Sequence, residues 1–197
     1  MEKYDVIIVG AGPSGYFCAY EMMQKNPNLK VLLLDKGLSI EKRHCPVLEH
    51  KLKKCPEGQK GYAECYPACS ITNGFGGAGA YSDGKFNITT EFGGWLQEYM
   101  TDEEIFALIH YVDEINLKYG ATEVITDPCT QKVKEIERKA MSVGLKLLHS
   151  KVRHLGTEEN IKILTKIYFD LKDKIDISFS TSVKDIIVEN NTIKGII

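Results

Sequence analysis

The residues up to Asp35 carry the pattern that most constrains the fold of this chain. An apolar run at residues 4–9 ends in a glycine-rich turn at residues 10–15, and a second apolar run at residues 31–34 leads directly into Asp35. The residues in between predict one helix, which begins at Pro13. Strand, glycine-rich turn, helix, strand and acid, in that order, form the βαβ fingerprint of dinucleotide-binding proteins.

The residue types of this turn each have a physical reason. Gly10 permits the tight turn out of the strand, and Gly12 lets the backbone approach a pyrophosphate closely. Pro13 suits the first helical turn, because its missing N–H would have no helical partner there. Gly15 allows the helix to pack closely on the strands. Asp35 follows Gly15 by about twenty residues, where a carboxylate can accept hydrogen bonds from ribose hydroxyls.

Composition and charge exclude several classes of function. The chain has 197 residues, with 25 basic and 27 acidic side chains and a net charge of −2, which favours neither nucleic acid nor an anionic membrane as partner. No apolar run approaches the ~20 residues of a membrane span, and Met1 is followed almost at once by the first strand, without a secretory signal pattern. We therefore expect a cytoplasmic chain whose cysteines are thiols, ligands or redox groups.

Residues 38–70 break the regular pattern. Their prolines and glycines predict an irregular excursion, which contains Cys45, Cys55, Cys65 and Cys69. Structural zinc favours pairs separated by about two to four residues, so only the last two cysteines conform, and iron–sulfur motifs are usually more tightly clustered. A metal or cluster site and a redox disulfide between Cys65 and Cys69 stay open, with ordinary thiols as the simplest interpretation.

A second glycine-rich stretch follows at residues 73–86. Five glycines fall within eleven residues, interleaved with Phe75 and Tyr81. Glycine at this density indicates backbone with unusual dihedrals or a close approach to something flat, whereas flexible linkers rarely carry aromatic residues. We interpret the stretch as lying against a cofactor.

Capping and periodicity predict the remaining elements. Thr101 and Glu104 form a capping box that opens an amphipathic helix ending near Gly120. The other predicted elements are a helix from Asp127-Pro128 to Gly144, a strand at 145–152, a helix capped by residues 157–160, and strands at 175–180, 183–189 and 192–197, the last two joined by a turn at Asn190-Asn191. These elements divide the chain into a βαβ unit at 1–37, a Cys/Gly-rich excursion at 38–100, a helical insert with one strand at 101–172, and a third strand with the start of a β-meander at 173–197.

By these motifs the chain resembles the glutathione-reductase-type flavoproteins, which have two dinucleotide-binding domains. The turn at residues 10–15, with Ala19 and Asp35, looks like that family's amino-terminal FAD motif. More narrowly, residues 74–85 and 153–157 resemble a bacterial group of poorly characterised FAD-dependent dehydrogenases, although that group carries a denser cysteine cluster before the glycine stretch. The similarity covers essentially the whole chain.

The resemblance implies an α/β fold: a Rossmann-like FAD-binding domain with a parallel sheet, an inserted helical segment and a terminal β-meander, incomplete at the C-terminus. It implies FAD held by the turn at its pyrophosphate, by Asp35 (usually Glu in the family) at the adenosine ribose, by the Val183 backbone at adenine, and by the loop at residues 76–82 along the ribityl chain and flavin. The cofactor-binding residues expected are Gly10, Gly12, Pro13, Ser14, Gly15, Asp35, Lys36, Gly77, Ala78, Gly79, Ser82 and Val183.

The expected function is that of an FAD-dependent oxidoreductase that passes hydride or electrons to an acceptor. The sequence assigns neither this acceptor nor the catalytic residues, and it predicts no metal ligand. His149 and His154 are most simply structural, and Arg153 is a candidate to hold an anionic substrate or a flavin carbonyl. The alternatives are an NAD(P)-binding dehydrogenase module and an inactive truncated flavoprotein.

The position of the last residues predicts an incomplete sheet. The family's FAD sheet has the spatial order 3-2-1-4-5, and this sequence supplies strands 1, 2 and 3 before it ends inside the β-meander. We therefore expect the amino-terminal part of a longer flavoprotein, with weak FAD binding and little turnover alone. The first strand would then be an open edge, which favours self-association.

Overall fold

The computed structural model describes residues 2–56 and 60–197. Residues 57–59 of the predicted excursion lie outside the described residues. The chain forms two compact units: a first unit made of the chain up to Tyr81 together with Leu164–Ile197, and a second unit, Ser82–Ile163. In chain order the elements are β1 Val6–Val9, α1 Pro13–Lys25, β2 Val31–Leu34, β3 Lys85–Ile88, α2 Asp102–Lys118, α3 Gln131–Met141, β4 Lys151–His154, α4 Thr157–Lys172, β5 Asp176–Ser178, β6 Ile186–Glu189 and β7 Thr192–Ile196.

The first unit is built on a parallel sheet with the order β1-β2-β5. Val6 pairs with Val31 in β2, and Leu32 of β2 pairs with Asp176 in β5, all in parallel register. The central strand is the most buried, with Val31 and Leu33 at 1% and 0% exposure. The predicted α/β fold with a parallel sheet is therefore confirmed. Among the described residues β1 pairs with β2 alone and is an edge strand.

Helix α1 covers this sheet through small and aliphatic side chains. Ala19 and Met23 are buried on one helix face, beside the buried Tyr16 and Tyr20. A Cβ on Gly15 would lie 1.8 Å from the carbonyl oxygen of Gly10, so no side chain fits where the helix crosses the end of β1. The close helix–strand contact thus depends on Gly15.

The hairpin of β6 and β7 closes the first unit. Asn190 and Asn191 have φ of 49° and 59°, the left-handed conformation of a tight hairpin turn, so the predicted turn is confirmed. The strand predicted at residues 183–189 is shorter in the structure, where it covers Ile186–Glu189. Val183 lies before it in a non-repetitive segment.

The second unit contains an antiparallel pair, β3 and β4, with α2 and α3. The capping box of α2 is confirmed, since the Thr101 hydroxyl accepts the Glu104 N–H and the Glu104 carboxylate accepts the Thr101 N–H. Strand β3 was not predicted: it is short and begins within the last residues of the glycine-rich stretch. It pairs with β4 from Lys85 opposite His154 to Ile88 opposite Lys151.

Three predicted element boundaries are wrong. The helix expected from Asp127 begins at Gln131, because the Asp127 carboxylate accepts the Cys129 N–H in a turn and Thr130 supplies the cap. The strand expected at 145–152 is found at Lys151–His154. Thr157 is the first residue of α4 instead of its cap.

The helices found in the described part of the chain are all too short or too polar to cross a membrane.

Candidate dinucleotide site

The glycine-rich turn connects β1 to α1 at the carboxyl end of the parallel sheet. Gly10 has φ of +104°, which only glycine adopts readily, and its N–H donates to the Leu34 carbonyl at 2.7 Å. The first helical bond runs from the Tyr16 N–H to the Gly12 carbonyl at 3.0 Å. The helix N-terminus therefore lies at the edge where parallel α/β sheets bind their ligands.

The N–H groups at the N-terminus of α1 are not used in hydrogen bonds between described residues. In the described part of the chain, no protein acceptor receives the N–H groups of Gly12, Ser14 and Gly15, and Gly12 provides no side-chain cap. Such groups, at the positive end of the helix dipole, form an anion site when they face a ligand.

Gly12 is a glycine that the protein's own structure does not require. Its φ of −70° and ψ of −177° are open to any residue. A Cβ built on it would meet nothing within 4 Å. The space in front of its backbone is consequently free for another molecule, at the same end of α1 as the unbonded N–H groups.

Asp35 holds the turn and its neighbours together. Its Oδ2 accepts the Ala11 N–H at 2.8 Å, and its Oδ1 accepts the N–H groups of Gly37 at 2.7 Å and Gly74 at 2.8 Å. A carboxylate has about four lone-pair positions, so one stays open beside these three bonds. The predicted ribose contact stays a prediction, and the structure adds a second role, which is to join the turn to residue 74.

The second glycine-rich stretch lies directly on the glycine-rich turn at residues 10–15. The Gly76 N–H donates to the Ala11 carbonyl at 2.8 Å. A Cβ on Gly77 would lie 3.2 Å from the Cα of Gly12, and one on Gly79 would lie 3.7 Å from Cγ of Pro13. The structure therefore brings together the two motifs that are about sixty residues apart in the sequence, and glycine at residue 77, with φ of +55°, permits the contact.

Arg43 fixes the glycine-rich stretch from below. Its side chain is 3% exposed. Nε donates to the Ser70 carbonyl at 2.8 Å, Nη1 to the Phe75 carbonyl at 2.6 Å, and Nη2 to the carbonyls of Ile71 and Gly77 at 2.8 Å each. Burial lowers the pKa of Arg43. One guanidinium thus satisfies two carbonyl groups of the glycine-rich stretch, those of Phe75 and Gly77, and two just before it, those of Ser70 and Ile71.

Aromatic packing holds the same stretch against the helices of the first unit. Phe75 is fully buried, and its ring lies 5.4 Å from the ring of Tyr16 on α1 and 5.2 Å from that of Tyr168 on α4. Burial raises the pKa of Tyr16, which keeps its hydroxyl neutral. Sequence reasoning missed both Arg43 and Phe75 as organisers. A buried glycine-rich backbone needs donors for its carbonyls, and that requirement is the signal for a nearby arginine.

The other predicted cofactor-binding residues are distributed more widely. Lys36 is exposed next to Asp35, and Ala78 is exposed on the glycine-rich stretch. Val183 is half-buried two residues after Thr181, whose N–H donates to the Asp35 carbonyl at 3.0 Å. Ser82 belongs to the second unit, where its hydroxyl accepts the Gly84 N–H and its carbonyl accepts the Thr157 hydroxyl.

Arg153 is not available to hold a substrate anion or a flavin carbonyl. It is buried, and its Nε and Nη2 each donate to Asp113 at 2.6 Å, while Nη1 donates to the Thr122 carbonyl. The hydrogen bond from Asp113 raises the pKa of Arg153. His149 lies before β4 and pairs with Glu137 at 3.1 Å on the surface. Arg153 is therefore a structural residue of the second unit.

All six cysteines are free thiols. Within residues 2–56 and 60–197, no three His, Cys, Asp or Glu side chains converge so that they could hold a metal ion. Burial raises the pKa of the Cys65 thiol, with the neighbouring Cys45, Cys55 and Cys69 acting in the same direction. Burial also raises the pKa of Cys69, but the N–H groups of Ile71 and Thr72 and the charge of Arg43 outweigh it and leave that pKa below its usual value.

Comparison with known sequences finds two short matches. The Thi4 family model matches residues 1–42. Thiamine thiazole synthase 4, chloroplastic, from Physcomitrium patens is 51% identical over 35 residues, which are 18% of this chain and 10% of that protein. The family match covers the part of the chain that contains the glycine-rich turn and Asp35.

Solved structures match over nearly the whole chain at low identity. The L-amino acid deaminase from Proteus myxofaciens is 14% identical with a TM-score of 0.46, over 100% of this chain and 42% of that one. Mycobacterium smegmatis Sdh1 is 12% identical with a TM-score of 0.49, over 99% and 30%. The L-proline dehydrogenase from P. horikoshii is 18% identical with a TM-score of 0.37, over 99% and 49%. The chain thus spans about half or less of each structure.

Proposed function

We propose that this chain binds FAD through the turn at residues 10–15 and works in flavin-dependent oxidoreduction. The observation that carries the proposal is Gly12. It has ordinary dihedrals, no neighbour within 4 Å of a would-be Cβ, and a position at a helix N-terminus with unbonded N–H groups. The protein's own structure does not need a glycine here. A ligand that lies against the backbone of Gly12 explains it, as a pyrophosphate does in the dinucleotide fold.

The sequence comparisons support the binding half of this proposal. The Thi4 model matches the segment that contains the turn, α1, β2 and Asp35. This match ends far before the second unit, so it supports a nucleotide cofactor and leaves thiazole synthesis without support. The oxidoreductase half rests on the resemblance of residues 74–85 and 153–157 to FAD-dependent dehydrogenases.

The chain's own residues bind and orient in this proposal. The N–H groups of Gly12, Ser14 and Gly15 donate to the pyrophosphate oxygens, with the helix dipole favouring their charge. The open lone pair of Asp35 accepts a ribose hydroxyl, and the stretch held by Arg43 lies against the turn. FAD, when bound, supplies an isoalloxazine ring that takes up or gives hydride or single electrons.

The choice between FAD and a nicotinamide dinucleotide is tested by equilibrium titration. FAD binding is followed by quenching of flavin fluorescence on the purified 197-residue chain, after any copurified flavin has been removed. NADH and NADPH are then added as competitors. We expect FAD to bind and neither nicotinamide to displace it at a tenfold higher concentration, about 1.4 kcal/mol of selectivity. Displacement by NADH would favour the NAD(P) module instead.

The assignment of the turn is tested by a matched pair of variants. In Gly12→Val the side chain occupies the space proposed for the pyrophosphate. Gly61→Val places the same side chain on a glycine that also has nothing within 4 Å of its Cβ position, outside the site. We expect Gly12→Val to weaken FAD binding by about tenfold or more, as loss of hydrogen bonds to a charged group does. Equal FAD affinity in the two variants, both folded by circular dichroism, would refute the assignment.

A further inference from the structure

The second unit contains an apolar cavity of about 280 Å³ that the proposed cofactor site does not use. It lies between β3 and α2. Leu96 and Leu108, half-exposed at 50% and 48%, form part of its wall. The rest of the wall includes Phe86, Ile88, Ile105, Ile109, Val112 and Asn116. Small-molecule sites in proteins are typically apolar cavities with a few placed polar groups.

Asn116 is the polar group in this wall that lacks a partner. Its side chain is 3% exposed, and within the described residues its Nδ2 is buried without a hydrogen-bond acceptor. Its backbone carbonyl, by contrast, is satisfied by the Ala121 N–H at 2.9 Å. A buried donor without an acceptor is rare in native proteins, because it keeps the cost of leaving water. An acceptor supplied by a molecule in the cavity removes that cost.

The charges around the cavity define what kind of acceptor fits. Asp113 also lines the cavity, but both of its oxygens accept from Arg153 at 2.6 Å, and both side chains are buried. The ion pair is therefore closed on itself. A ligand carboxylate would lie near the Asp113 carboxylate in an apolar wall without a free cation, which is unfavourable. A neutral acceptor, such as a carbonyl oxygen, avoids this repulsion and can accept from the Asn116 amide.

We propose that this cavity binds a neutral, mainly apolar molecule with one carbonyl oxygen, which accepts a hydrogen bond from Nδ2 of Asn116. The aliphatic and aromatic wall takes the apolar body of the molecule. The amide sets its orientation and selects it against a hydrocarbon of the same shape. This inference stands on the second unit alone and does not depend on FAD binding.

A pair of matched probes tests the proposal on the 197-residue chain. The probes are 4-fluoroacetophenone, which has the carbonyl oxygen, and 1-ethyl-4-fluorobenzene, which has nearly the same shape without it. Binding of each is measured by fluorine NMR titration. We expect saturable binding of the ketone, about fivefold or more tighter than the hydrocarbon after both are corrected for their transfer from water to an apolar solvent. Equal corrected affinities, as expected if only water fills the cavity, or no binding of either probe would overturn the proposal.

Variants assign the preference to the amide. Asn116→Leu keeps the size of the side chain and removes the donor, and we expect it to abolish the preference for the ketone while the hydrocarbon still binds. Asn28→Leu makes the same change on an exposed asparagine in the first unit and should leave both affinities unchanged. A ketone preference that survives in Asn116→Leu would contradict the role of Asn116. The comparison of the two probes on the unmodified chain decides the proposal even if that variant fails to fold.

Discussion

Three glycines of the glycine-rich turn at residues 10–15 are present for three different physical reasons. Gly10 has a positive φ, so its backbone conformation requires glycine. Gly15 has ordinary room for its backbone but none for a side chain, because a Cβ would lie 1.8 Å from the Gly10 carbonyl oxygen. Gly12 is under neither constraint. The three positions therefore respond differently to the addition of one methyl group.

Gly15→Ala is expected to lower the free energy of unfolding by about 1–3 kcal/mol or more, the usual effect of overpacking against backbone that cannot move freely. Gly12→Ala is expected to cost at most about 1 kcal/mol, the effect of a poor N-cap residue. Urea denaturation followed by circular dichroism measures both. Equal destabilisation by the two changes would contradict the reason given for Gly15.

Cys69 and Cys129, two of the four exposed thiols, are expected to react at different pH. The N–H groups of Ile71 and Thr72, together with Arg43, outweigh burial and lower the pKa of Cys69, whereas the hydrogen bond to Asp127 raises the pKa of Cys129. Because the thiolate is the nucleophile, alkylation of Cys69 should reach its half-maximal rate at the lower pH. Iodoacetamide labelling with peptide mass spectrometry measures both rates, and Cys69→Ser should remove the faster reaction. Faster labelling of Cys129 at neutral pH would contradict this ordering.

Among the helices and strands, sequence patterns predicted the features that depend on residues close together in the sequence. The parallel strands β1, β2 and β5, the helix α1 and the cap of α2 follow from apolar runs and capping residues, and all are found. The pairing of β3 with β4 was missed, since four residues at the end of a glycine-rich stretch carry too little periodicity. The three bonds of Asp35 and the four of Arg43 join residues 24 to 39 positions apart in most cases, and no local pattern reports them.

The cap of α2 is expected to contribute measurably to the stability of the chain. Thr101→Ala removes the acceptor of the Glu104 N–H and should lower the free energy of unfolding by about 1 kcal/mol, whereas Thr101→Ser keeps the hydroxyl and should cost little. The hydrogen bond from the Thr101 N–H lowers the pKa of Glu104. The contribution of its carboxylate is thus complete above the pKa of an unfolded glutamate and is lost as the pH falls through the lower folded value. Denaturation at several pH values measures the pH dependence. An equal loss of unfolding free energy in Thr101→Ala and Thr101→Ser would contradict the contribution of the hydroxyl.

The edge strand β1 gives the expected self-association a specific test. Val6 and Gly10 donate their N–H groups toward β2, so alternation along the strand places the N–H groups of Ile7 and Val9 on the free side. Val9 is 61% exposed. If a second copy pairs at this edge, Ile7→Pro should reduce the mass measured by sedimentation equilibrium while the fold is kept, because proline removes only an outward N–H. Ile8→Pro, which removes an inward N–H, should destabilise the sheet. An unmodified chain that is monomeric at high concentration would contradict the self-association.

At the scale of the whole molecule, the two glycine-rich stretches define one surface of the first unit. The turn at residues 10–15 supplies unbonded N–H groups, and the stretch that contains Gly76 and Gly77 lies against it. Arg43 and Phe75 hold that stretch with buried contacts, so the surface is formed before any ligand binds. Preorganised N–H donors lose little entropy when an anion binds, which favours a pyrophosphate over water.

The second unit contributes a separate site in this account. Its buried pair Asp113–Arg153 and its unpartnered Asn116 amide belong to one cavity wall, and replacing Asn116 by leucine should raise the free energy of unfolding by about 1–3 kcal/mol, since an unsatisfied buried donor is removed. Thermal or urea unfolding of Asn116→Leu measures the change. A marked destabilisation would show that the amide has a partner in solution.

The proposed binding of FAD at the N-terminus of α1 can be observed residue by residue with amide NMR of the uniformly labelled chain. On addition of FAD, the N–H signals of Gly12, Ser14 and Gly15 should shift and saturate together, with those of Gly76 and Gly77 following. The N–H signals of Gly61 and Gly195, outside the site, should stay in place. Saturable FAD binding that shifts other amides and leaves Gly12, Ser14 and Gly15 unchanged, or no binding at millimolar FAD, would contradict the account.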